Sequence, residues 1–146
     1  MKKVFFTVFV LVFSVNMISA QTKEHEALSI VKLLINNIDK PIPQGTTYSQ
    51  ESGFFFNIAQ YDGKDIDSAI YGYRADRNGK VIQSVFSVGY NKSTTALATA
   101  LLWVMSFSSE NDVTKFPGSS NLFLYNGFIV KISIDDDLFV MISVQR

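Results

Sequence analysis

The sequence predicts an α+β domain: a mostly antiparallel six-stranded sheet with two helices, in the order αβββαβββ behind a cleaved signal peptide. Three observations carry that expectation. Residues 22–40 and 93–109 space their apolar side chains as helices do, and each stretch is followed by three short runs that alternate apolar and polar residues. Most of the runs are joined by Asp-Gly or Asn-Gly pairs, which supply the positive φ angles of tight turns. The chain has 146 residues, 47% hydrophobic content and no cysteine, enough for one packed core and nothing for a disulfide framework or a thiolate metal site.

The order begins with residues 1–20, where Lys2 and Lys3 precede the apolar run 4–15 and Ala20 closes the segment. A positive start, a short apolar centre and a small residue at the cut make a secretory signal peptide, with cleavage expected after Ala20. The apolar run is too short for a bilayer span, so no stable membrane span is expected after cleavage. Residues 21–146 are then one secreted or periplasmic domain. Losing Lys2 and Lys3 leaves the 13 acidic residues in a small excess, so the mature chain is faintly acidic.

In the first helix Ala27, Val31, Leu34, Ile35 and Ile38 form an apolar stripe opposite His25, Ser29, Lys32, Asn36 and Asp39. Thr22 is its expected N-cap, and Pro41 and Pro43 end it. Residues 41–52 read as a loop. Strands are expected at 53–60, with Phe54, Phe56 and Ile58 on one face; at 66–75, with Tyr71 and Tyr73 opposite Ile70 and Arg74; and at 80–90, with Ile82, Phe86, Val88 and Tyr90 aligned. Asp62-Gly63 and Asp76-Arg77-Asn78-Gly79 join them as hairpin turns.

The second helix, 93–109, holds no charge, and a helix apolar nearly all round should be buried nearly all round. After a loop at 111–120, strands at 122–125 and 128–134 flank Asn126-Gly127, and the acidic turn Asp135-Asp136-Asp137 leads to a last strand with Val140, Ile142 and Val144 inward. Residues 59–63 (AQYDG) and 123–127 (FLYNG) resemble each other and hint at an internal duplication.

The residue types exclude several chemistries. Charge balance leaves no basic patch for nucleic acid, and His25 is the only histidine, so no multi-histidine metal site can form and no cofactor is expected. Nucleophile-elbow, phosphate-loop, dinucleotide and zinc-protease motifs are absent. The carboxylates of 62–67 and 135–137 read as solvated turns rather than calcium loops.

What remains is a strongly aromatic set of strands. Tyr71, Tyr73 and Arg74, with Tyr61 and Tyr90, have the composition of a binding hot spot, although core packing claims such rings as readily. The leading expectation is a non-enzymatic domain that recognises a protein or envelope component through an aromatic sheet surface or an edge strand. Two alternatives are a carrier holding a small apolar ligand between the sheet and the second helix, and a small hydrolase using paired carboxylates.

Overall fold

The computed structural model describes residues 26–146; the expected signal peptide, its expected cut after Ala20, Thr22 and His25 lie outside them. Helix α1 covers 26–35 and runs on in turns to Lys40, burying Ala27, Val31, Leu34 and Ile38 as their spacing requires. Its end is tied to the sheet by two backbone hydrogen bonds, Asp39 N to Val81 O (2.8 Å) and Val81 N to Lys40 O (2.9 Å).

The strands are β1 (Thr47–Ser49), β2 (Phe54–Ile58), β3 (Ile66–Ala75) and β4 (Val81–Tyr90), then helix α2 (Ser93–Ser108), then β5 (Val113–Lys115), β6 (Leu122–Tyr125), β7 (Phe128–Ile134) and β8 (Phe139–Gln145). They make one antiparallel sheet in the order β1-β2-β3-β4-β8-β7-β6-β5. The sheet therefore has eight strands where six were expected. The two additions are its edges, β1 and β5, which lie within stretches read as loops. Each is three residues long, too short for alternation to register, and each exists through its pairing with β2 or β6.

Other details depart from the sequence reading for physical reasons. A bulge where Arg74 opposes Gln83 but Ala75 opposes Val81 turns Val81 into the core and leaves Ile82 45% exposed, so Ile82 does not align with Phe86. The turn after β2 takes its positive φ at Asp65 (61°) rather than at Gly63. At Asn126-Gly127 both residues do have positive φ, 50° and 79°, and the hairpin is the tight one expected.

Both helices contribute to a single core on one face of the sheet. Trp103 and Phe107 of α2 are fully buried, with Trp103 6.3 Å from Phe86 and Phe107 edge-on to Phe123 (5.4 Å) and Tyr125 (5.7 Å) between ring centroids. The outer side of α2 corrects the expectation of all-round burial. Leu97, Leu101 and Met105, one helical stripe, are 52%, 53% and 66% exposed, because α2 lies as an outer layer over the sheet. Among the described residues no helix is long and apolar enough to cross a membrane.

The two halves, each αββββ, meet where β4 pairs with β8. Phe86 stands opposite Ile142 there, and outward from that pair the registers match: Val88, Ala69 and Ala59 on one side, Val144, Val130 and Phe123 on the other. The similar pentapeptides beginning at Ala59 and Phe123 thus occupy equivalent places in the two halves.

Candidate functional site: the open face of the sheet

Alternation along five interior strands puts a second set of side chains on the face away from the helices. In register across β2, β3, β4, β8 and β7 run Phe56, Gly72, Val85, Ser143 and Lys131, and beside that row run Ile58, Ile70, Ser87, Met141 and Ser133. At about 4.8 Å per strand each row spans roughly 19 Å from β2 to β7. Together with Phe54 and Phe139 these residues, all but the exposed Ile58, line a trough of about 470 Å³, within the size range of small-molecule sites.

Two glycines inside strands shape it. The rings of Phe54 and Phe56 lie over Gly72, where an added Cβ would meet them at 3.4 and 3.2 Å. Phe139 lies over Gly89, where a Cβ would come within 2.9 Å of its ring. The aromatics thus fold down on both sides of a floor of small residues, which is the use of glycine in a strand interior. Phe54 and Phe56 stack on each other at 6.0 Å, and the Arg74 guanidinium sits 4.5 Å above the Phe54 ring.

Of the five residues expected to form a binding surface, only Arg74 is on this face. Tyr73 and Tyr90 are buried beneath the helices, and Tyr61 and Tyr71 are half-buried against Phe86, at 5.3 and 5.1 Å. Burial raises the pKa of all four hydroxyls. Tyr61 is raised furthest, since after burial the neighbouring Glu26, by hydrogen bonding and by its charge, holds the proton on. Four tyrosines are brought together, but as part of the core beneath the helices.

The acidic turns resolve differently. Thr95 Oγ1 donates to Asp65 Oδ2 (2.7 Å) and Lys92 Nζ lies 3.2 Å from Asp65 Oδ1, contacts that hold the Asp65 carboxyl below its usual range, the Thr95 hydrogen bond most of all. Asn91 reaches back to Asp67 as well (3.2 Å), so the turn locks the entry of β3 to the start of α2. Asp135 Oδ1 accepts the Phe139 N–H (2.8 Å). Among the described residues no group of three or more His, Cys, Asp or Glu is placed to hold a metal ion. The trough itself contains one carboxylate, Asp135, and so lacks the facing pair that glycoside hydrolysis uses.

Comparison with protein families, characterised proteins and solved structures finds no match to the chain. The site therefore stands on its own geometry. Sequence reasoning passed over Phe139, Met141 and the two glycines; the available signal was a glycine within each of two strand-like runs, Gly72 and Gly89.

Proposed function

We propose that the protein is a small non-enzymatic binding domain, exported to the periplasm or secreted by its signal peptide, and that it holds a small apolar ligand on the open face of the sheet. The observation that carries this reading is the trough between Phe54/Phe56 and Phe139/Met141, an apolar concavity on the side of the sheet the helices leave uncovered. The carrier expected from the sequence thereby moves to the opposite face. Between sheet and α2, Trp103, Phe86, Phe107 and Phe123 take up the space with their own side chains.

A peptide partner fits the trough less well. Its floor is made of interior strands whose backbone groups are already paired, so a peptide laid there would find no ladder to extend and would leave its own amides unsatisfied. An aliphatic or aromatic ligand has no such groups to strand. The test is a titration of the purified protein with the neutral dye N-phenyl-1-naphthylamine. The reading expects a saturable rise in dye fluorescence that Met141→Glu abolishes and Leu124→Glu, outside the trough, leaves intact, both variants keeping the wild-type circular dichroism. Absence of saturable binding, or equal binding by both variants, rejects it.

A further inference from the structure

We infer that the ligand of this trough is a single-chain amphiphile with an anionic head, a free long-chain carboxylate, whose head group meets Lys131 while its chain crosses the strands towards Phe54 and Phe56. The inference rests on the trough being the binding site and adds the chemistry of what it takes.

The polar groups along the trough decide the matter one by one. Gln83 Nε2 donates to Ser143 Oγ (2.9 Å), so those two side chains satisfy each other. Asp135 spends one carboxylate oxygen on the Phe139 N–H. Arg74, the other cation on this face, is held over the Phe54 ring and borders a separate depression beside Asp39 and Arg146. Lys131 is different: it is exposed, it lines the trough, and among the described residues it has neither an ion pair nor a hydrogen bond. The one acid of the trough, Asp135, lies four residues further along the chain, just past the end of β7, and no ion pair joins the two.

The trough therefore has a polarity. One end presents an ammonium with no partner among the described residues, and beyond Ser143 the row through Val85 and Gly72 to Phe56 carries no polar side chain. A carboxylate at Lys131 gains a charge-assisted contact without burying a charge, because the lysine stays at the rim. A single chain then covers the floor and the aromatic wall. A free molecule is the better occupant than a lipid still in its bilayer, since a concave trough of this volume admits one chain and cannot lie against a planar surface.

The experiment is calorimetric titration of the purified protein with dodecanoate, dodecanol and dodecyltrimethylammonium below their aggregation concentrations, and with vesicles of phosphatidylcholine and phosphatidylglycerol. The expected order is dodecanoate tighter than dodecanol by roughly three- to tenfold, with the cationic amphiphile weakest. Lys131→Gln should remove the carboxylate preference while dodecanol binding stays the same, Lys131→Arg should restore it, and Lys115→Gln, away from the trough, should change nothing. Equal affinity for dodecanoate and dodecanol in the wild type overturns the head-group assignment and leaves the apolar site standing. A preference for the cationic amphiphile overturns it in favour of Asp135. Binding to vesicles but not to free dodecanoate overturns the free-ligand source. Failure of all three amphiphiles together with the neutral dye overturns the binding site itself.

Discussion

Gly89→Ala isolates the packing that makes the trough. Gly89 is buried in β4, and a Cβ there would sit 2.9 Å from Phe139 Cε1, 3.2 Å from Phe139 Cζ and 2.9 Å from Ser68 Oγ. Carbon atoms in good contact stand about 3.5–4.0 Å apart, so the ring must lift by most of an ångström, whereas the exposed Ser68 hydroxyl can rotate away at little cost. Overpacking of this kind costs about 1–3 kcal/mol, and the stiffer unfolded chain returns about 0.4–1 kcal/mol. The net expectation is a loss of about 1–2 kcal/mol. Gly72→Ala is the internal control, because its closest approaches, 3.2 and 3.4 Å, ask only a small adjustment of the Phe56 and Phe54 rings, and the two opposing effects should nearly cancel. Urea denaturation followed by the fluorescence of Trp103, the single tryptophan, measures both. Removing the ring with Phe139→Ala should then shrink the Gly89→Ala penalty by about 1 kcal/mol in a double-mutant cycle. A Gly89→Ala protein as stable as wild type, or a penalty unchanged without the Phe139 ring, would refute the claim that this ring rests on the glycine.

Three further outcomes are expected. Because the Asp65 carboxyl is held below its ordinary value, chiefly by Thr95 and then by Lys92, its contribution is present in full above the ordinary aspartate range and disappears as pH falls through the folded value; melts of Asp65→Asn between pH 2 and pH 7 should show a flatter acid limb than wild type, and parallel curves would remove this role. Trp103→Ala should cost about 3–5 kcal/mol by circular dichroism in urea, while Trp103→Phe should cost under half as much, since the buried Nε1 has no acceptor among the described residues; equal losses would show that the indole nitrogen matters. Burial raises Tyr61, Tyr71, Tyr73 and Tyr90, so the unfolded chain releases these four protons at lower pH than the folded one and stability falls as pH climbs past the ordinary phenol value. Alkaline absorbance titration should show these four tyrosines ionising late and together with unfolding; their early titration in the folded protein would contradict their burial.

Much of the architecture could be read from periodicity, and what could not has identifiable causes. The spans of β3, β6 and β7 came out to the residue because each combines alternation with a bounding turn. β1 and β5 carry no such pattern; Thr47–Ser49 and Val113–Lys115 are strands only because a neighbour offers them a ladder. Which face of the sheet would be covered was ambiguous for a deeper reason. β2 and β3 are apolar on both sides, Phe55, Tyr71 and Tyr73 against Phe54, Phe56 and Ile70, and composition cannot say which side the helices choose. Helix choice made the tyrosines core and left the phenylalanines lining the trough. Likewise, the uncharged run of α2 specified an apolar cylinder without specifying how many layers would surround it.

The seam between β4 and β8 sets how this chain can go wrong as well as how it closes. Among the described residues it is the one ladder joining residues 26–90 to residues 93–146, and its two strands hold equivalent positions in their halves. Its strands are more than 50 residues apart in the chain at Phe86 and Ile142, so pairing them is a slow, long-range event. While β4 waits, its unpaired edge is matched in register by β8 of any other molecule. At high concentration the native ladder can form between chains, giving an exchanged dimer in which Asn91 and Lys92 take a new path between β4 and α2 and give up their contacts with Asp67 and Asp65.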